Sequence, residues 1–373
     1  MTDRPTGFEV INAAGKMTAL GGTAQAGQVG SAAARAAAVH VDMAEYRRAA
    51  GERVAAVTGA EAASITTGAA AGIAIAVAAC ISGTDPALVA RLPDSGGLRR
   101  VVVVQSPHDV NFGAPVQQMV RLGGGVPLVV GDDGGCDDAE LAAALEVIDG
   151  GLAPAAYLHV VSHHVRPVAA VSLDAAIVLA RARRVPVIVD AAAEEDLRAY
   201  VGAGADLVTY SGGKAIGGPT VGFVAGQRDL VAACEAQTRG IARTMKVGKE
   251  QIAGLLAALD LYETRDTAAE AARRDEVNRI VAAGVEGVDA VVCEFRHDEA
   301  GRAITRVALR AASGAWDAGE LVSFLVAGTP SIRTRNHRLA DGIVQFDPRE
   351  VTIDQAKLIA ARLTTFFAAN LRQ

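Results

Sequence analysis

Short runs of β-branched residues, separated by helical stretches, constrain the fold of this chain more than any other feature of its sequence. The runs lie at residues 100–105, 126–130, 155–161, 185–189, 207–210 and 221–224. Such apolar runs are typical of buried strands in a parallel sheet. The stretches between them, such as residues 173–183, have helical composition, and strands that alternate with helices indicate βαβ units. The sequence therefore predicts an α/β fold with a mostly parallel central sheet covered by helices.

The ends of the chain have a different pattern. Further helices are predicted at residues 32–55, 69–80, 251–283 and 353–370. Strand-like runs in the last part of the chain lie at residues 289–295, 303–309 and 342–346. A few strands followed by a terminal helix are typical of a small α+β domain.

These patterns predict a division into domains. We expect residues 1–50 to form an N-terminal arm and a helix that join the small domain. Residues 51–260 then form the large domain, and residues 261–373 form the small C-terminal α+β domain. A chain of 373 residues is long enough for about two domains.

Charge, hydropathy and cysteine spacing exclude several classes of protein. The formal net charge of -6 does not favour binding to nucleic acid. The most apolar windows are shorter than the roughly 20 residues that a membrane-spanning helix needs, and the N-terminus lacks the apolar core of a signal peptide. Four widely separated cysteines indicate neither a zinc site nor a disulfide framework. We therefore expect a cytoplasmic protein with no nucleic-acid or membrane partner.

Two charged side chains follow predicted strands. Asp190 directly follows the run 185–189. Lys214 comes after the strand predicted at 207–210, within the sequence Ser-Gly-Gly-Lys-Ala. Ligands of open α/β sheets bind at the carboxyl ends of the strands. Glycines beside a lysine let the backbone approach a bound group, and a lysine held in such a pocket can form an imine.

Together, these two residues match the needs of pyridoxal 5′-phosphate (PLP). This cofactor requires a lysine for its Schiff base and an acid that keeps the pyridine nitrogen protonated. A third element must hold the phosphate, and the small residues at 66–72, which include Gly68, Ala69 and Ala70, form a turn into a helix. Backbone N–H groups and the helix dipole favour an anion there. The Ser211 hydroxyl is a further candidate phosphate ligand.

A metal site is a competing interpretation of the same region. His163 and His164 are adjacent, and Asp190 is followed by Glu194 and Glu195. Two adjacent histidines do not readily bind one ion, and the cofactor explains the position of Asp190 better. We therefore predict no metal.

The segments Val-Asp-Ala-Ala-Ala-Glu-Glu-Asp at 189–196 and Tyr-Ser-Gly-Gly-Lys-Ala at 210–215 resemble fold-type-I PLP enzymes of the selenocysteine-synthase-like group. Within that group, the chain is most similar to the D-glucosaminate-6-phosphate ammonia-lyase family. The stretches 11–18, 105–108, 162–164 and 240–250 carry the same resemblance. It implies a fold-type-I transferase fold, with PLP bound in residues 51–260, and a homodimer or higher homo-oligomer.

The resemblance also implies roles for individual residues of the large domain. Lys214 would form the Schiff base and then transfer a proton. Asp190 would pair with the ring nitrogen, while Gly68, Ala69 and Ser211 contact the phosphate. His108 would cover the ring face or reach its surroundings. Because adjacent residues of an extended segment point to opposite sides, at most one of His163 and His164 faces the site, and we favour His164.

Three basic residues are candidate substrate ligands. Arg333 and Arg335 are two residues apart and would share a face of an extended segment. A guanidinium can bind a substrate carboxylate with two hydrogen bonds, and the resemblance favours Arg335. Lys246, with Lys249 nearby, would meet a substrate phosphate or the site of a neighbouring subunit.

The predicted reaction is the loss of water and then ammonia from a β-hydroxy amino acid or aminosugar acid. The resemblance indicates D-glucosaminate or its 6-phosphate, which would give a 2-oxo acid. The alternatives are an amino-acid racemase or another β-eliminating enzyme of the same fold. A selenium transferase, for which the acidic net charge is unfavourable, and a non-catalytic PLP-binding protein are further alternatives.

Overall fold

The computed structural model describes residues 8–146, 153–298 and 301–370. They divide into two compact units. The larger unit runs from Gln25 to Thr264, and the smaller one combines the residues up to Ala24 with those from Arg265 onward. The chain therefore passes from the smaller to the larger unit after Ala24, whereas the prediction placed this boundary at residue 50. The reason is that the helices after Gln25 bury apolar residues, such as Val29 and Val54, in the core of the larger unit.

The strands and helices follow one another along both units. The strands are β1 (Val10–Ala13), β2 (Ala62–Thr66), β3 (Val101–Gln105), β4 (Val126–Val130), β5 (Ala156–Val160), β6 (Val187–Asp190), β7 (Leu207–Ser211), β8 (Gly222–Gly226), β9 (Val291–His297), β10 (Thr305–Ala311), β11 (Ser331–Thr334) and β12 (Val344–Phe346). The helices are α1 (Gly27–Ala37), α2 (Met43–Thr58), α3 (Ala69–Ser82), α4 (Pro86–Arg91), α5 (Val116–Leu122), α6 (Asp138–Ala144), α7 (Leu173–Ala182), α8 (Ala199–Gly202), α9 (Arg228–Ala236), α10 (Lys249–Thr264), α11 (Thr267–Ala283), α12 (Ala318–Ala327) and α13 (Ile353–Asn370). Among the described residues, none of these helices has the length and apolar character needed to cross a membrane.

The larger unit is built on a seven-stranded sheet in the order β2-β8-β7-β6-β5-β3-β4. The five neighbouring strands β4, β3, β5, β6 and β7 pair in parallel, and β8 is antiparallel to both of its neighbours, β7 and β2. Side chains alternate between the two faces: Val101 and Val103 join a cluster with α2, α7 and α10, whereas Val102 and Val104 pack with α3, α5 and α9. The predicted α/β fold with a mostly parallel sheet is confirmed.

Two of the predicted helices are each divided in the structure. The helix predicted over 32–55 is α1 followed by α2, and the one predicted over 251–283 is α10 followed by α11. An aspartate N-cap starts the second helix in both cases. Asp42 accepts hydrogen bonds from the backbone N–H groups of Ala44 and Glu45, and Asp266 accepts one from Ala269. These carboxylates satisfy backbone donors that a continuous helix would have paired internally.

The smaller unit has two sheets. β1 pairs with β11 in parallel, and β10 lies between β9 and β12 in an antiparallel sheet. One face of β10 places Val307 and Leu309 in an apolar cluster with residues of α11 and α13 and with Trp316. The strands predicted at 289–295 and 303–309 are present as β9 and β10 but begin slightly later. β1, β2 and β11 are short strands that the sequence pattern did not reveal.

Candidate active site

The carboxyl ends of the parallel strands of the larger unit lie along one edge of its sheet. Val160, the last residue of β5, pairs with Asp190 at the end of β6, and Asp190 pairs with Thr209 of β7. Ser211 ends β7 and pairs with Gly222, the first residue of the antiparallel β8. This register brings the ends of three strands together, as expected for a ligand site of an open α/β sheet.

Asp190 is a buried carboxylate at this edge. The N–H group of Ala192 donates a hydrogen bond to its Oδ1 atom at 3.2 Å, and within the described residues no hydrogen bond engages Oδ2. Burial raises the pKa of Asp190 to about 6, an effect that the charge of Lys214 opposes and that of Glu194 reinforces. A cation that donates to Oδ2 would therefore be strongly stabilised here.

Lys214 lies in a tight turn between β7 and β8. The N–H of Gly212 donates to the carbonyl oxygen of Val221 at 2.7 Å, and the N–H of Gly218 donates to that of Gly212 at 2.7 Å. A Cβ atom at Gly212 would lie 2.6 Å from the Val221 side chain, so the glycine is needed for this close approach. The turn holds Lys214 half-buried and near enough to Asp190 to affect its pKa.

The start of α3 lies beside the end of β7. Thr66 of β2 and Ser211 of β7 both pair with Gly222, from opposite sides of β8. A Cβ atom at Gly222 would lie 2.8 Å from the Cα atom of Gly68, so the chain that enters α3 passes directly over β8. Ser211 and the first turn of α3 are thereby placed at the same end of the sheet.

The first turn of α3 has the features of an anion site. Its N-cap is Gly68, which contributes no side-chain hydrogen bond, and the space in front of its Cα atom is open. The N–H groups of Ala69 and Ala70 belong to the first turn, where helical N–H groups have no partner within the helix. Thr209 Oγ1 donates to the Ala69 carbonyl oxygen at 3.2 Å, and Gly72 lies against the same threonine.

His108 is buried rather than on the surface. It ends the 3-10 turn Ser106–His108 after β3, and its Nδ1 atom accepts a hydrogen bond from the Val160 N–H at 3.2 Å. Burial lowers the pKa of His108 to about 4. The imidazole is therefore neutral near neutral pH, with its proton on Nε2 because Nδ1 is an acceptor.

His163 and His164 do not point to opposite sides, in contrast to the prediction. Both lie in the turn after β5, where the chain is no longer extended, and their ring centroids are 4.0 Å apart. His163 is half-buried, whereas His164 is exposed. No group of three or more His, Cys, Asp or Glu residues in the described ranges is arranged to hold a metal ion.

The candidate substrate ligands have contrasting environments. In the smaller unit, Arg333 is exposed on β11, whereas Arg335 is buried and exchanges backbone hydrogen bonds with Gln345. In the larger unit, Lys246 is exposed on the wall of a cavity of about 430 Å³. Lys249 instead donates to the carbonyl oxygens of Ala37 and Val39 at the end of α1.

Sequence reasoning missed a buried polar cluster next to His108. It consists of Gln105 at the end of β3 and of Tyr157 and His159 on β5. The His159 ring contacts the His108 ring edge to face, with their centroids 4.2 Å apart. The sequence feature that could have revealed this cluster is the spacing of Tyr157 and His159. They lie two residues apart in an otherwise apolar strand, which puts both on one face.

Comparisons with known proteins show a similarity that extends over nearly the whole chain. A family model described as L-seryl-tRNA selenium transferase matches residues 188–284, the segment that contains Asp190 and Lys214. D-glucosaminate-6-phosphate ammonia lyase of Salmonella typhimurium is 42% identical over 95% of this chain and 94% of that protein. A 5'-C-glycyluridine monooxygenase-decarboxylase of a Streptomyces species is 41% identical over 95% of this chain and 88% of that protein.

Solved structures extend the similarity to the fold. A structure of D-glucosaminate-6-phosphate ammonia-lyase has a TM-score of 0.87 and 42% identity, and the match covers 97% of this chain and 96% of that one. A serine palmitoyltransferase from S. paucimobilis with bound PLP–myriocin has a TM-score of 0.59 at 13% identity, over 97% of this chain and 87% of that one. This chain therefore belongs to the selenocysteine-synthase-like family of fold-type-I PLP enzymes that includes D-glucosaminate-6-phosphate ammonia lyase.

Proposed function

We propose that this protein is a PLP-dependent ammonia-lyase that converts a β-hydroxy amino acid or aminosugar acid into a 2-oxo acid and ammonia. The observation that carries the proposal is the juxtaposition of buried Asp190 with Lys214 at one sheet edge, beside the first turn of α3. The similarity to D-glucosaminate-6-phosphate ammonia lyase over nearly the whole chain supports D-glucosaminate, or its 6-phosphate, as the substrate.

The residues at the edge fit PLP. Asp190 has an oxygen atom available for a protonated ring nitrogen, and its burial makes a cationic partner favourable. The open space at Gly68, the N–H groups of Ala69 and Ala70 and the Ser211 hydroxyl suit a phosphate group. Lys214 supplies the amine to which the cofactor would be attached.

Bound PLP would act as a sink for the electrons left at Cα when the substrate proton is removed. Lys214 would take that proton, and Asp190 would hold positive charge at the ring nitrogen. Lys214 would give that proton to the β-hydroxyl, which would leave as water, and hydrolysis of the released enamine would consume one water molecule and release ammonia. The net change converts the amino and hydroxyl carbons into a carbonyl and a methylene group.

Substrate recognition would use the remaining candidates. The Arg335 guanidinium would bind the substrate carboxylate, and its burial favours it over exposed Arg333. Lys246 would attract a substrate phosphate from the cavity wall. His108 would cover the cofactor ring, and His164 would approach from the turn after β5.

The cofactor assignment is tested by the visible absorption of bound PLP. The purified protein is expected to show this band, and Lys214→Ala is expected to lose it together with at least about 1,000-fold in kcat, because the covalent attachment and the base are both removed. Lys357→Ala is the matched control: Lys357 is exposed on α13, where it pairs with Asp354, so the band should remain. A wild-type protein without the band would refute the proposal.

The substrate is tested by release of ammonia and a 2-oxo acid. D- and L-β-hydroxy amino acids and aminosugar acids are compared, each with and without phosphate where both exist. Turnover of D-glucosaminate or its 6-phosphate is the expected result. Racemisation without ammonia release would identify the protein as a racemase instead.

The Streptomyces relative supports a second candidate function. That protein is named a monooxygenase-decarboxylase, and its identity to this chain is almost as high as that of the ammonia lyase. Oxygenation with decarboxylation would consume O2 and release CO2, whereas the lyase reaction neither consumes O2 nor releases CO2. Turnover measured with and without oxygen therefore separates the two functions.

We also propose a cytoplasmic homo-oligomer that acts on a small molecule and binds no nucleic acid. Support comes from the family resemblance and from the four cysteines, none of which is paired in the structure. Light scattering of the purified protein tests the oligomeric state.

A further inference from the structure

We propose that His159 is a positioning residue for His108, held in one tautomer by a hydrogen-bonded chain that starts at the backbone of Val171 and passes through Gln105 and Tyr157. The inference rests on the proposed function only in giving His108 a place over the cofactor. The direction of each hydrogen bond follows from the backbone groups at the start of the chain.

The first link fixes the orientation of the Gln105 amide. The Val171 N–H, which can only donate, donates to Oε1 of Gln105 at 2.7 Å. The Nε2 atom donates back to the Val171 carbonyl oxygen at 3.0 Å. The same Nε2 atom lies 2.6 Å from the hydroxyl oxygen of Tyr157, which therefore accepts a hydrogen bond from it.

The second link fixes the tautomer of His159. The Tyr157 hydroxyl is buried, and its oxygen already accepts from Gln105, so its own proton needs an acceptor. His159 Nδ1 lies 3.0 Å away and is the remaining hydrogen-bond partner of this hydroxyl in the described part of the chain. Nδ1 is then the acceptor, and the proton of neutral His159 lies on Nε2.

The third link joins His159 to His108. The two rings meet at 84° with a centroid distance of 4.2 Å, an edge-to-face arrangement. The Val160 N–H holds His108 Nδ1 from a second direction. A ring held by one hydrogen bond can still rotate about it, whereas the His159 contact restricts that rotation. The Nε2 atoms of both histidines make no hydrogen bond to the described residues, which leaves both N–H groups available as donors.

Burial supports this arrangement. His108 and His159 are only 4% and 8% exposed, and burial lowers the pKa of both imidazoles. Both rings are therefore neutral, so their orientation depends on the hydrogen bonds and ring contact rather than on ion pairs.

The test deletes one hydrogen bond of this series, or reverses its direction, and leaves both histidines in place. Tyr157→Phe deletes only the hydroxyl. Gln105→Glu keeps the shape, but its carboxylate cannot donate and instead draws the Tyr157 proton away from His159. Solid-state ¹⁵N NMR of histidine-labelled holoenzyme reports the tautomers, with the His159 signal assigned by its loss in His159→Gln.

The wild type is expected to show a single Nε2–H tautomer for His159, and both variants are expected to lose it. We expect kcat to fall about tenfold with KM within roughly twofold, because a small displacement of His108 costs less than the roughly 100-fold of a 1 Å misplacement. Tyr46→Phe is the matched control: Tyr46 packs beside the same apolar cluster, and its hydroxyl makes no hydrogen bond to the described residues.

An unchanged His159 tautomer in Tyr157→Phe, or a changed tautomer with wild-type kcat, would overturn the proposal. Absence of ammonia release by the wild type would refute the lyase function instead. In that case the NMR result still decides whether the chain orients His159.

Discussion

Asp190 is almost completely buried, and among the described residues its carboxylate accepts one hydrogen bond and has the charge of Lys214 nearby. Burial of a carboxylate without a full set of partners disfavours its charged form. The same carboxylate would stabilise a protonated ring nitrogen once a cofactor is bound. Function and stability therefore place opposite demands on this residue.

We expect Asp190→Asn to stabilise the apoprotein while it impairs catalysis. The folded protein raises the pKa of Asp190 from 3.8 to about 6, so the folded state binds more protons than the unfolded state between these values. The contribution of Asp190 to stability therefore falls as pH rises through this window. The variant should be more stable than the wild type by about 1–3 kcal/mol at about pH 8, and kcat should fall at least about 100-fold.

Thermal unfolding of the two apoproteins checks this prediction. The stability difference should shrink towards about pH 4, where the wild-type carboxyl is protonated as well. A variant less stable than the wild type at both pH values would contradict the proposed cost of burying this carboxylate.

Among single residues, the positions of Asp190 at the end of an apolar strand and of Lys214 in the glycine-rich turn after the next strand were predictable, because both patterns are local along the chain. His159 was not, because a histidine within a strand is functional only if its neighbours in space hold it. Its neighbours are Tyr157 and His108, and Tyr157 in turn bonds Gln105, which is distant in sequence and comes near through the pairing of β3 with β5. Similarly, two arginines two residues apart gave no sign that Arg335 is buried and Arg333 exposed.

At the scale of elements, α3 positions the candidate phosphate site. Its small residues let it pack closely on the sheet, and Gly72 lies against Thr209 of β7. The hydroxyl of Thr209 also donates to the carbonyl oxygen of Ala69 in the first turn. Contact and hydrogen bond together hold the start of the helix at the sheet edge.

Gly72→Ala is expected to disturb this packing. The added Cβ atom would lie 2.0 Å from Thr209 Oγ1, so the helix or the strand must move. We expect a loss of about 1–3 kcal/mol in the free energy of unfolding and weaker PLP binding, measured by denaturant unfolding and cofactor titration.

Gly30→Ala in α1 is the control for that variant. A Cβ atom there meets nothing within 4 Å, so the better helix propensity of alanine should leave the stability unchanged or raise it by up to about 1 kcal/mol. Equal effects of the two substitutions would show that close packing of α3 is not the cause.

Element boundaries were harder to predict than element types. The strands of the parallel sheet were recognised because their apolar runs are continuous. The divisions between α1 and α2 and between α10 and α11 were missed, since Asp42 and Asp266 act as N-caps within sequences that otherwise favour helix. An aspartate in such a sequence caps a helix only when the preceding chain turns away.

At the scale of the whole molecule, a network of buried charges stabilises the smaller unit. Arg306 is 1% exposed and donates to Asp298 at 2.6 Å and to Asp347 at 2.7 Å. Burial alone would raise the pKa of Asp298, but the hydrogen bond from Arg306 and the charges of Arg302 and Arg306 lower it to about 2. Burial would also raise the pKa of Asp347. The charges and hydrogen bonds of Arg349 and Arg306 outweigh this effect and hold that pKa well below its usual value.

Arg306→Met is expected to destabilise the smaller unit by about 3–5 kcal/mol near pH 7, because two buried carboxylates lose their shared counterion. The wild-type pKa values are lowered, so the network contributes stability above about pH 4 and loses it as pH falls through about 2. In the variant the two carboxyls should protonate more readily, so the deficit should shrink towards about pH 4.

Fluorescence of Trp316, the single tryptophan of the chain, follows unfolding of this unit. The control is Arg338→Met, which removes only an exposed pair with Asp341 and should change stability by less than about 1 kcal/mol. A deficit that is equal at both pH values would mean that lost packing, and not charge, explains the effect of Arg306→Met.

The α/β class, the parallel sheet, Asp190 at a strand end and Lys214 in the turn after the next strand could all be read from the amino-acid sequence. These properties depend on apolar periodicity and on the residues that follow each strand, which are local along the chain. The burial of Asp190 and His108, the hydrogen bonds that lead to His159 and the contrast between Arg333 and Arg335 became evident only in the folded protein. Burial, pKa and hydrogen-bond direction depend on residues from separate elements, and no local pattern specifies which of these residues come into contact.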